Sequence, residues 1–247
     1  MHWTTPQKPA ELTETRLIDA ILNGRFPPGS LLPAERELAL LLGVTRPTLR
    51  EALQRLARDG WLEIHQGKAT RVKDYWYEGN LGVLSALAQH YENLPEDFVP
   101  KLLAVRQVIA PVYARLAVEQ KHTTVIQLLD KSSSLFDEAA EFAIYDWEVH
   151  HTLSIASDNP IFTLILNGFR DLYAPMACRY FELEQARQSS IDFYSKLNQA
   201  ARNQDGKAAE EITQQAMLFS LELWQRSVTN KPIKNPLSKQ NPSGGAP

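Results

Sequence analysis

Apolar residues recur along this chain with two periods, and the change of period divides it. Leu17, Ile18, Ile21 and Leu22 fall at helical spacing and predict a helix over 11–23. Leu38, Leu41 and Leu42 predict one apolar face on a second, short helix. Leu49, Ala52, Leu53 and Leu56, at i, i+3, i+4 and i+7, predict a third. Over Trp61-Leu62-Glu63-Ile64 the period drops to two, as in a strand; His65-Gln66-Gly67-Lys68 reads as a turn and 69–72 as a return strand. A linker is expected over 73–79. From Asn80 to Ser227 the period is almost wholly helical, with segments near 80–91, 96–120, 124–138, 140–157, 161–182, 189–203 and 206–228. Asn159-Pro160 separates the fourth of these from the fifth, and Pro111 and Pro175 are expected to kink the helices that contain them.

The ends of the second and third helices sharpen the picture. Pro33 suits a first helical turn, and Glu35 and Glu37 lie near the positive end of the helix dipole. Gly43 ends that helix, Thr45 caps the next, Pro47 falls in its first turn and Gly60 closes it. Arg46 and Arg50 project from a different face than the leucines. A helix, a glycine turn, a second helix and a two-stranded wing make a winged helix-turn-helix, whose second helix presents its first turn to the major groove. The wing tip would meet the minor groove or a phosphate. The fold class expected is therefore mainly α: a winged helix-turn-helix over 1–75, then an all-α antiparallel bundle of about seven helices over 76–229. The stretch 230–247, with four prolines and two glycines, is expected to be a disordered tail.

Charge changes the picture locally. The chain carries a net charge of −3, yet Arg46 to Lys73 holds seven Lys/Arg against three Asp/Glu. Positive charge is thus concentrated where a DNA-binding module needs it. An ordinary helical hairpin with solvated arginines gives the same bare pattern; the wing and the placement of charge favour DNA.

Leu32-Pro33-Ala34-Glu35-Arg36-Glu37-Leu38-Ala39 followed by Gly43-Val44-Thr45-Arg46-Pro47-Thr48-Leu49-Arg50-Glu51-Ala52-Leu53 closely resembles the winged helix of the GntR family of transcription regulators. Arg25-Phe26-Pro27-Pro28-Gly29, 54–62, Trp76, Asn159-Pro160-Ile161, 164–168 and Arg179-Tyr180-Phe181 resemble its FadR subfamily, so the likeness reaches to about Arg226. The resemblance implies DNA contacts at Arg36, Thr45, Arg46, Thr48, Arg50 and Gly67, with Pro47, His65, Gln66 and Lys68 beside them. Arginine pairs bidentately with guanine, and threonine bonds phosphate or touches a thymine methyl. In the subfamily pattern threonine stands where this chain has Pro47, and glutamine precedes histidine at the wing tip, so a minor-groove contact made by histidine would fall here to Gln66 or be altered.

Relatives of this architecture hold a metal in the bundle through an aspartate and three histidines. Asp146 and His150 match the first two of these positions, while Tyr194 and Ala216 stand at the others. Two ligands make a poor transition-metal site. The expectation is no metal and no cofactor, with Asp146 and His150 hydrogen-bonded to each other near an apolar cavity. The resemblance implies long-chain fatty acyl-CoA as the effector, held by Leu103, Arg106, Tyr173, Tyr180, Ser220 and Trp224. The last helix departs from the pattern, because Ala216-Met217-Leu218-Phe219-Ser220-Leu221 is more apolar than the subfamily stretch; Met217 replaces a glycine and would narrow the CoA entry or shift the chain-length preference.

Composition is that of a soluble protein, with 44% apolar and 22% charged residues and no run long enough to span a membrane. The N-terminus lacks the apolar segment of a signal peptide, and the single cysteine, Cys178, suits the cytoplasm. These features and the resemblance lead to the expectation of a cytoplasmic homodimer on a palindromic operator, released by acyl-CoA. It would repress fatty acid degradation genes and activate unsaturated fatty acid synthesis genes. The alternative is a regulator answering to another carboxylated metabolite. No nucleophile–base–orienter set or phosphate loop suggests an enzyme.

Overall fold

The computed structural model describes residues 8–65, 67–90, 95 and 97–229. The tail assigned to 230–247 lies outside the described residues. Three helices open the chain: α1 (Pro9–Leu22), α2 (Glu35–Leu42) and α3 (Arg46–Asp59). The wing follows as β1 (Leu62–Glu63) and β2 (Arg71–Val72), antiparallel with Leu62 opposite Val72 and Glu63 opposite Arg71. A bridge between Leu31 and Arg71 adds an edge from the segment before α2. That edge explains why α2 starts later than its proline suggested. The Leu32 N–H donates to the Thr70 carbonyl (2.8 Å), holding the chain extended past Pro33, and Ala34 becomes the N-cap.

Leu49, Ala52, Leu53 and Leu56 form the buried face of α3, each leucine contributing roughly 1.5–3 kcal/mol by burial. On α2 the buried residues are Leu38 and Ala39, and Leu41 is exposed. At 100° per residue Leu41 falls on the far side of Leu38 from Ala39, so an eight-residue helix cannot bury both.

The expected linker is partly helical. It forms α4 (Tyr75–Glu78), and Asn80 then caps α5 (Leu81–Gln89) by accepting from the Gly82 N–H (2.8 Å). The same asparagine side chain donates to the Arg58 carbonyl at the end of α3 (3.0 Å). Gly60 ends α3 in the left-handed region (φ 96°), and a Cβ there would lie 2.9 Å from the Asn80 nitrogen. The winged-helix core therefore continues past Tyr75. Trp61, fully buried, meets the Tyr75 ring (4.7 Å between centroids), Tyr75 meets Trp76 (5.3 Å), and Trp76 meets Phe98 (5.9 Å). Val83, Leu87 and Leu172 join the same apolar cluster.

The second half contains α6 (Phe98–Leu129), α7 (Ala139–Ala156), α8 (Pro160–Gly168), α9 (Arg170–Phe181), α10 (Glu184–Arg202) and α11 (Gly206–Thr229). With α5 they make, among the described residues, a bundle of seven helices, in which α6 packs along α7, α10 and α11. The backbone of α6 departs from helical values at Lys121 and not at Pro111. The segment expected at 124–138 is the end of α6 plus a short 3₁₀ turn, Asp130–Ser134. The segment expected at 161–182 is two helices, α8 and α9, with Phe169 between them. None of the described helices is long and apolar enough to cross a membrane.

Gly60→Ala places a side chain in a left-handed conformation against linker backbone. It should cost on the order of 2–3 kcal/mol in urea unfolding; an unchanged midpoint would show that α3 and the linker are not held at this distance.

Candidate functional site

Two sites emerge, one a surface groove and one a pocket that runs into the bundle and opens to solvent beside Asp192, Lys196 and Gln215. The first is a groove between α3 and the wing, lined by Arg36, Arg46, Arg50, His65, Gly67 and Lys68 together with Glu35, Gln54 and Ile64. The chain reaches this groove from α2, α3 and the wing turn, so residues over thirty positions apart share one concave face. At the start of α3, Thr45 accepts from the Thr48 N–H (3.4 Å), and the two hydroxyls lie 2.8 Å apart. Pro47 is exposed in the same first turn, where its missing N–H leaves no helical bond unmade. Thr45, Pro47 and Thr48 thus sit at the tip of the helix and not on the groove walls. The wing turn is closed by the Lys68 N–H on the His65 carbonyl (3.3 Å), with Gly67 left-handed (φ 74°). His65 stands 3.2 Å from the Glu63 carboxylate. Gln66 lies outside the described residues. Sequence reasoning missed Glu35 as a groove residue, because its position at the start of α2 was fully explained by the helix dipole.

At its base the wing is fastened to the linker. Arg71 donates from Nε to Glu63 (2.8 Å) and from Nη2 to Glu78 on α4 (2.9 Å). The Lys73 ammonium adds a bond to the Glu78 carbonyl (2.8 Å).

The second site is a cavity of about 420 Å³ inside the bundle. Its walls come from the first turns of α6, from α9, α10 and α11, and from Asp146 of α7. Leu103, Arg106, Tyr173, Tyr180, Ser220 and Trp224 all line it, as does Met217. Tyr180 donates to Ser220 (3.2 Å), whose own hydroxyl donates to the Ala216 carbonyl (2.8 Å). The Arg179 guanidinium covers the Trp224 ring (5.4 Å). Leu102, Met176, Phe193 and Lys196 belong to the walls but were not singled out by sequence. For Leu102 a signal existed, since Val99, Leu102 and Arg106 share a helical face; Lys196, four residues from Asp192, reads as an ordinary solvated pair.

One wall is polar. Asp146 accepts from Tyr194 (2.9 Å) and from Tyr173, with the Arg106 Nη2 3.7 Å away. Arg106 also stacks on the Tyr173 ring (5.0 Å). The expected hydrogen bond between Asp146 and His150 is not made: His150 Nε2 is 3.8 Å from the carboxylate, and Tyr113 instead meets His150 Nδ1 (2.8 Å). Tyrosines from α6, α9 and α10 reach these groups first, which the i, i+4 spacing on α7 does not foretell. Burial alone would raise the Asp146 pKa; His150, Arg106 and the two tyrosine hydroxyls together turn the shift downward. Burial, with Arg106 nearby, pushes His150 down to about 4. His150 is therefore neutral at pH 7, and Arg106 is the countercharge of Asp146. These residues do not fit a divalent metal. A guanidinium already faces the carboxylate, the Tyr194 hydroxyl donates a hydrogen bond to it, and Ala216 has no ligating side-chain atom.

Comparison with known proteins identifies this combination. Residues 9–72 match the model of bacterial regulatory proteins of the gntR family, and residues 73–234 match the FadR C-terminal domain. The chain belongs to the GntR family, in its FadR branch. It is 39% identical over 236 residues to a fatty acid metabolism regulator protein of Shewanella sp. strain MR-7, covering 94% of this chain and 97% of that one. It is 45% identical over 199 residues to the protein of the same description from Pectobacterium atrosepticum, covering 81% and 83%. Among solved structures, Lar, which controls the expression of the Listeria monocytogenes agr system, shares the fold with a TM-score of 0.61 at 15% identity, covering 92% of this chain and 99% of that one. The groove lies in the GntR-type winged helix and the cavity in the FadR-type bundle.

His150 is depressed from 6.5 to about 4, so the unfolded chain binds the extra proton between those values. Stability from keeping it neutral is full above about pH 6.5 and falls as pH drops toward 4, by roughly 3 kcal/mol in all. Urea unfolding between pH 7 and 4.5 should show a steeper loss for the native chain than for His150→Gln; equal slopes would mean that His150 is not buried neutral.

Proposed function

We propose that this chain is a homodimeric DNA-binding regulator of fatty acid metabolism, whose grip on a palindromic operator is released by long-chain fatty acyl-CoA. Two copies present the α3 tips to successive major grooves, and the wing tips reach the flanking minor groove. Arg36, Arg46 and Arg50 read base edges, Thr45 and Thr48 position the helix on phosphate, and Gly67 admits the backbone closely at the wing. Repression of degradation genes and activation of unsaturated fatty acid synthesis genes follow by likeness to the FadR branch. As a DNA-binding regulator it acts in the cytoplasm, binds no cofactor and catalyses no reaction.

One observation carries the effector reading. The α6 turns that wall the cavity, through Val99, Leu102, Leu103 and Arg106, begin at Phe98, the last ring of the chain Trp61–Tyr75–Trp76–Phe98. An acyl chain that displaces the start of α6 therefore pushes, through these rings, on the segment that follows the recognition helix. The cavity volume of about 420 Å³ lies within the usual range for small-molecule sites.

The polar wall favours a thioester over a free acid. Arg106 is already matched by Asp146, so a carboxylate placed there would meet a buried negative charge. A neutral thioester carbonyl can accept a hydrogen bond from the guanidinium without that cost. The alternative reading, a carboxylated metabolite, lacks an unmatched cation on this wall.

Oleoyl-CoA should release the protein from its DNA in a gel-shift titration, and a coupling of about 1–3 kcal/mol would weaken DNA binding about 5- to 150-fold. Release by a small organic acid, with oleoyl-CoA inert, would transfer the effector role to the alternative. Arg46→Ala should abolish binding to a duplex selected by the native chain while leaving the melting temperature in place; retained affinity would remove α3 from the groove.

A further inference from the structure

A carboxylate stands in the groove that the proposed reading gives to DNA. Glu35, the first residue of α2, accepts from Arg50 Nε (2.7 Å) and lies 3.8 Å from Arg46 Nη2. All three side chains are partly exposed, at 37%, 58% and 56% for Glu35, Arg50 and Arg46. An acid facing a phosphate backbone weakens binding, so its presence between two reading arginines calls for a reason.

We propose that Glu35 is a specificity-determining residue: it orients Arg50 and offsets the charge of Arg50 and Arg46, so that phosphate alone does not hold the protein. The inference rests on the DNA reading above. The bond to Arg50 uses Nε and not the terminal nitrogens, the pair that matches the O6 and N7 acceptors of guanine. The carboxylate thus fixes the arm of the guanidinium without consuming its reading edge. Non-specific binding is different in kind. It comes almost wholly from neutralised phosphates and released counterions, and it counts net positive charge in the groove. Glu35 lowers that count. It penalises every duplex alike through charge, and returns the benefit of orientation only where guanine accepts the arginine fork. Because an exposed ion pair adds little to stability, the fold does not depend on it.

The test compares the native chain, Glu35→Gln and Glu35→Asp on two duplexes, one selected by the native chain from a random pool and one of scrambled sequence, across a salt series. Glu35→Gln should melt like the native chain and bind the scrambled duplex more tightly. Its salt dependence should steepen by about 0.9 in log–log slope, so that its advantage is roughly threefold larger at 50 mM than at 200 mM salt. Its preference for the selected duplex should fall. Glu35→Asp, which keeps the charge on a shorter arm, should keep the native slope and lose part of the preference. In an Arg50→Gln background the effect of Glu35→Gln on preference should shrink. An unchanged slope and preference in Glu35→Gln overturn this role while the DNA reading stands; a native chain that selects no duplex overturns both.

Discussion

The close packing of the linker onto the end of the recognition helix constrains the rest of this molecule. Gly60 turns left-handed at the last turn of α3, leaving no room for a side chain against Asn80 and Gly79. Trp61 then enters the core fully buried, its ring tilted against that of Tyr75. Asn80 ties the same helix end to the start of α5. The winged helix therefore has no core wholly of its own. Its apolar cluster is completed by Val83, Leu87, Phe98 and Leu172, residues that belong to the bundle.

From that constraint the relation between the two sites follows. The cavity shares its α6 wall with the end of the aromatic chain, and the wing is fastened to α4 by Arg71. A short route of packed rings and charged bonds joins the cavity to α3 and to the wing. The polar wall adds a fixed point. Asp146, Arg106, Tyr173 and Tyr194 tie α6, α7, α9 and α10 together, so the apolar side is the part free to yield.

The winged helix was legible in the sequence because its signals are local. The leucine spacing of α3, the Thr45 cap and the glycine stops each need only a few neighbouring residues. Where a long-range contact intervened, local signals failed: the edge at Leu31 and Leu32 delayed α2, and Asp146 found Tyr173 of α9 and Tyr194 of α10 in place of His150. The six cavity residues came from family likeness, and the structure brings them to one space. Nothing in periodicity could have joined Trp76 to Phe98, twenty-two positions on, since each reads alone as an ordinary apolar residue. Glu35 escaped notice for the opposite reason, having one sufficient local explanation already.

The central claim is that occupancy of the cavity is felt at the recognition helix through the rings of the linker. Linkage makes it measurable, because DNA must weaken the effector by the factor by which the effector weakens DNA. The direct measurement is the affinity of oleoyl-CoA with and without saturating operator duplex, in the native chain and in Trp76→Ala. The account predicts a clear difference in the native chain that shrinks toward none in Trp76→Ala, with both ligands still bound. An undiminished difference in Trp76→Ala would contradict it.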